Sequence, residues 1–153
     1  MAKLDVQSFM PPAGTPPFLA LDMVFLVDRL KRILKEVTGS PMGESGEFAD
    51  PPRGLNASRD QLRMDYRTVW KNTKIVYKAE TYGATATHST NTITFGEFFL
   101  KQELPNLHIK KVLLHEFLHL VVDMPRELHH GQINNIIKKG LRIPGDPNPL
   151  GTD

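Results

Sequence analysis

The stretch Val112-Leu113-Leu114-His115-Glu116-Phe117-Leu118-His119-Leu120 decides how this chain is read. It is apolar except for two histidines and one glutamate. It lies in a longer helical pattern expected over residues 107–124, with Asn106 as N-cap and Met124-Pro125 as the stop. His115 and His119 are four residues apart, so a helix stacks them on one face, where both imidazoles can reach one ion. Glu116 is turned by roughly 100° from His115. Its carboxylate then sits beside such an ion rather than on it, where it can take a proton from a water and pass it to a leaving amine. A pair of histidines on a helix can also be a hydrogen-bonded core feature. The apolar neighbours weigh against that, because two imidazoles and a carboxylate among them are costly unless paired or metal-bound. The expected ion is Zn2+, with His115 and His119 as ligands and Glu116 as the catalytic base.

A catalytic zinc usually has three protein ligands and one open position. After His119 the candidates are Asp123, Glu127, His129 and His130. Asp123 lies about 6 Å further along the helix axis and suits orienting a ligand imidazole or capping the helix end. Glu127 follows a proline and suits the acidic first turn of a last helix over 127–139, stopped by Gly140. Metzincin spacing is absent, since Val122 and Pro125 stand where Gly and His are required. His129 and His130 both lie where that last helix can fold back across the first, and the residues alone leave both open.

Outward from the motif, the chain has 153 residues, enough for one domain. Residues 1–16 read as an irregular arm, 17–143 as the domain and 144–153 as an irregular tail, with prolines clustered in both ends. Met23, Leu26, Val27, Leu30, Ile33, Leu34 and Val37 recur at helical spacing, giving a helix over 18–38 that ends at Gly39. Its first half is apolar nearly all round and is expected to be well buried. Residues 40–57 read as a long loop. Ser58 and Gln61 resemble a capping box for a helix ending near Asn72. Strands are expected over 73–82 and 91–96, with a small-residue turn or short strand at 83–90 and a short helix over 97–103.

Composition excludes several classes. No cysteine is present, which removes a disulfide framework, a thiolate zinc site and a cysteine nucleophile. Lys plus Arg is 19 against 17 for Asp plus Glu, so the net charge of +2 speaks against a nucleic-acid polyelectrolyte, although weak contact with an acidic partner stays open. No apolar run reaches about 18 residues, so no membrane span is expected. The start Met-Ala-Lys-Leu-Asp lacks a basic region followed by an apolar run, and the expected compartment is the cytoplasm.

One resemblance adds to this reading. The sequence Val112–Leu120, a short spacer, then His130-Gly131 and an apolar helix is similar to the SprT-like metallopeptidases, the group containing Spartan. It covers about residues 60–140. It implies a zincin-like α+β fold, with a small, mostly antiparallel sheet against the active helix and backing helices. It also implies His130 as third zinc ligand and a substrate-side edge strand at Thr92, Ile93, Thr94 and Phe95. His129 is then a supporting or exposed imidazole. The cysteine zinc ribbon found in many members is missing, so a DNA-repair role does not carry over.

Tyr82 or Arg126 can polarise a substrate carbonyl, and His88 can line the cleft, although each such residue is more often structural. The expected activity is a zinc metalloendopeptidase, a hydrolase acting on protein or peptide substrates. The alternatives are a latent or inactive metal-binding regulatory module of the same fold and, less favoured on charge, a metal-dependent nuclease.

Overall fold

The computed structural model describes residues 2–139. Helix α1 spans Pro17–Thr38, and the stripe from Met23 to Val37 is its buried face. Gly39 ends it in the left-handed region, with φ 75° and its N–H on the Lys35 carbonyl. The other face of its first half is open rather than buried. Phe18 is 73% exposed and Leu21 50%, and Val24 and Phe25 are exposed too. A helix lying on the surface of a small domain buries one stripe, whatever residues fill the other.

Five strands form one sheet in the order β2-β1-β3-β5-β4, where β1 is Ala2–Leu4, β2 Glu47–Phe48, β3 Lys74–Tyr77, β4 Ala84–Thr87 and β5 Thr92–Phe95. The β1–β3 and β3–β5 pairs are parallel; the β1–β2 and β4–β5 pairs are antiparallel. The fold is thus α+β with a mixed sheet, not a mostly antiparallel one. The chain leaves β3, overshoots to the outer position of β4, then returns as β5 between them.

That order corrects the expected edge. Thr92, Ile93, Thr94 and Phe95 form an interior strand whose two sides are taken by β3 and β4. The outer strand on this side is β4. Gly96 makes the crossing possible: a Cβ there would collide with the Thr81 carbonyl. Without one, the Gly96 N–H reaches the Gly83 carbonyl at 2.9 Å and the Glu97 N–H the Thr81 carbonyl at 3.0 Å.

Residues 2–9 are not an irregular arm either. Ala2 and Leu4 are buried beside an exposed Lys3, and β1 fills the gap between β2 and β3. A short 3-10 turn, Val6–Phe9, follows and sets the Phe9 ring 5.9 Å from Tyr77. The expected helix from Ser58 is replaced by a 3-10 segment, Leu55–Gln61, with a separate short helix α2, Tyr66–Lys71. Ser58 sits at a kink inside that segment, so no capping box forms.

Helix α3, Asn106–Val121, runs through the core against β4, β5, α1 and α2. Asn106 is its first residue, not its cap; Pro105 precedes it in extended form. The Asn106 side chain instead accepts a 2.7 Å hydrogen bond from Arg29 Nε. Arg29 also donates to the carbonyls of Lys101 and Leu104, tying α1 to the start of α3, and burial lowers its pKa. Below the motif, Trp70 and Phe117 meet edge to face at 5.0 Å, and the indole N–H donates to the Phe48 carbonyl at 3.0 Å.

The end of α3 is stitched to the 61–63 segment. Leu62 bridges Val122, the Arg63 N–H donates to the Val121 carbonyl at 2.7 Å, and the Asp123 N–H to Gln61 at 3.1 Å. A 3-10 turn, Arg126–Leu128, then leads into helix α4, His129–Lys139, which packs back on α3. Gly140, the 144–153 tail and the Arg126 side chain lie outside what is described. Among the described residues no helix is long and apolar enough to cross a membrane.

Candidate metal centre

Two elements build the centre. His115 and His119 come from one face of α3; His130 comes from the first turn of α4. The stitching of Val122 and Asp123 to the 61–63 segment fixes where α3 stops. The Met124-Pro125 turn then carries the chain back so that α4 starts beside the motif.

The three rings form a nearly equilateral triangle. Centroid separations are 4.7 Å for His115–His119, 5.2 Å for His115–His130 and 5.1 Å for His119–His130. Each offers one nitrogen such that all three lie within 4.8 Å of one another, close enough to bind a metal ion. The His115 and His119 Nε2 atoms are 3.1 Å apart. Ligand nitrogens about 2.0–2.1 Å from a tetrahedral ion are about 3.3–3.4 Å from each other, so the donor set fits a single small cation.

His115 and Glu116 are both fully enclosed, at 0% exposure, while His119 and His130 are half-buried. The centre therefore has a closed side toward the core and an approach from the His119 and His130 side. Glu116 follows His115 in the chain and is buried with it, where a carboxylate is costly unless paired or hydrogen-bonded.

Of the two histidines opening α4, His130 joins the triangle. His129 turns to the back of His119, with the two Nδ1 atoms 3.3 Å apart, and its Nε2 donates to the Met124 carbonyl at 2.8 Å. Asp123 is exposed and is held through its backbone N–H; Glu127 is exposed. Neither enters the metal-competent group. Tyr82 is 62% exposed and rests edge-on against Phe98 at 5.6 Å, outside the triangle.

His88 carries a role that sequence reading did not assign. It sits in a 3-10 turn, His88–Thr90, between β4 and β5, and its Nε2 donates to the His119 carbonyl at 2.7 Å. That carbonyl belongs to the last turn of α3, whose acceptors have no partner within the helix. The contact also places the end of β4 next to the motif. No local signal marks it, because the partner is 31 residues away.

No family model, no curated protein and no solved structure matches this chain.

Proposed function

We propose that this protein is a zinc-dependent metallopeptidase. The observation that carries the reading is the triangle of His115, His119 and His130 around one point, with Glu116 next in sequence to the first of them. Three neutral nitrogen donors suit zinc and leave a position for substrate or water. The SprT-like pattern supports the same reading through His130-Gly131 at the opening of α4.

A bound zinc ion would supply Lewis acidity, making water acidic near neutral pH and polarising the scissile carbonyl. The chain's residues do the rest. His115, His119 and His130 would hold the ion by one nitrogen each. Glu116 takes a proton on a carboxylate oxygen from the attacking water and delivers it to the leaving amine. Enclosure of Glu116 keeps bulk water from competing for that proton.

The substrate would lie extended along β4, the outer strand beside α3. Gly83 and Gly96 form a hydrogen-bonded pair, and by alternation so do Thr85 with Thr94 and Thr87 with Thr92. The N–H and C=O groups of Ala84 and Ala86 therefore point to the open side and can pair with a peptide backbone. Such pairing reads little side-chain identity, so selectivity would come from the rims of the cleft. The cytoplasm is kept as the proposed compartment, since a chain without cysteine needs no oxidising one to fold.

Complete enclosure of His115 and Glu116 also favours a second reading, a metal-binding module without turnover. A casein or peptide-library assay on zinc-loaded wild type and Glu116→Gln separates the two. Cleavage by the wild type alone supports the peptidase. No cleavage by either, with zinc retained in both, supports the module.

A further inference from the structure

His129 stands outside the triangle but touches it, and the hydrogen bonds fix where its proton lies. A carbonyl only accepts, so His129 Nε2, 2.8 Å from the Met124 oxygen, must carry the hydrogen. A neutral imidazole protonated at Nε2 has its lone pair at Nδ1. That atom faces His119 Nδ1 at 3.3 Å, so His119 must donate from Nδ1. With its hydrogen there, His119 keeps a lone pair at Nε2, the atom turned toward His115.

We propose that His129 is a positioning residue that selects the Nε2-ligating tautomer and the ring orientation of His119, and is itself set by the Met124 carbonyl. This rests on the metal-centre reading and adds a determinant of metal affinity to it. Ligand imidazoles commonly donate their second nitrogen to a carboxylate or a carbonyl. Here an imidazole is interposed, and the carbonyl stands one step further out. Asp123, four residues after His119, is exposed and does not take that place.

Local sequence explains the arrangement. Proline at 125 disfavours helical backbone at Met124. The 3-10 turn that follows, with the Leu128 N–H on the Pro125 carbonyl at 2.9 Å, returns His129 to within reach of the Met124 oxygen. His129 is only 7% exposed, so water does not displace the contact.

The test has two parts. In metal-free wild type, long-range proton–nitrogen NMR correlation of the imidazoles should show His119 protonated at Nδ1 and His129 at Nε2; the opposite tautomers overturn the proposal. Zinc affinity by chelator competition is then compared for His129→Leu and His129→Asn. Leucine offers no acceptor, whereas the Asn carbonyl lies near the position of Nδ1. Leucine should weaken binding by about 10–100-fold and asparagine should recover most of that loss. Equal affinity for the two variants, whether weakened or unchanged, overturns the proposal. A wild type without zinc affinity overturns the metal-centre reading itself, a separate result from equal variants of a zinc-binding protein.

Discussion

His115 and His119 bring their Nε2 atoms to 3.1 Å with the rings edge to face at 79°. Two nitrogen lone pairs that close repel unless a proton or a cation lies between them. One helix turn fixes the spacing, and α4 adds His130 on the third side. Under the proposed reading, a cation shared by the three imidazoles would fill that role.

Replacing each ligand should therefore remove the ion. His115→Ala, His119→Ala and His130→Ala are expected to lose zinc on gel filtration, while His129→Ala keeps it when zinc is in excess. Metal analysis of the four variants checks this. Retention of zinc by His130→Ala would exclude His130 from the centre.

Glu116→Gln keeps size and removes the base. Zinc content should stay at the wild-type level while peptide cleavage falls by about 10²–10⁴-fold. Activity within a few-fold of wild type would assign the proton transfer elsewhere.

The β4 edge can be tested without touching the metal. Ala86→Pro deletes an N–H that points away from β5, so the sheet should survive. KM for an extended peptide should rise, with zinc affinity unchanged. An unaltered KM would remove β4 from substrate binding.

Removing zinc should destabilise the fold around α3 and α4. Binding stabilises by about 4 kcal/mol at a free ligand concentration of a thousand times Kd. A chelator should accordingly lower Tm, and zinc should restore it. An unchanged Tm in a protein shown to bind zinc would mean that the two helices are set without it.

Alkaline stability has a named source in β3. Burial pushes the Tyr77 phenol up, and the charges of Glu97 and Glu80 add to this. Folding therefore favours the protonated form. That stability is complete below the ordinary tyrosine value near 10 and is lost as pH rises through the higher folded value. Tyr77→Phe should flatten the fall in denaturant midpoint above about pH 10; an equally steep fall would place the effect in other groups.

Much of the centre could be read from local sequence, because its spacing is local. His115, Glu116 and His119 sit in a strongly apolar helix, and Gly39 ends α1 where a left-handed residue is needed. The choice of His130 over His129 came only from family resemblance, and the geometry of α4 supports it. What escaped was decided by distant pairing. Strand β1 has three residues and β2 two, too few for a period to register. The interior place of β5 depends on Gly96 letting the 81–83 segment cross, and the role of His88 depends on where β4 ends. Asn106 has the side chain of a cap, but Arg29 from α1 engages it.

Zinc K-edge absorption on the purified, zinc-reconstituted chain tests the central claim most directly. One zinc per chain, with three imidazole nitrogens at about 2.0–2.1 Å and one further oxygen ligand, is the predicted result. No stoichiometric zinc, or a shell of oxygens with fewer than three imidazoles, would contradict it.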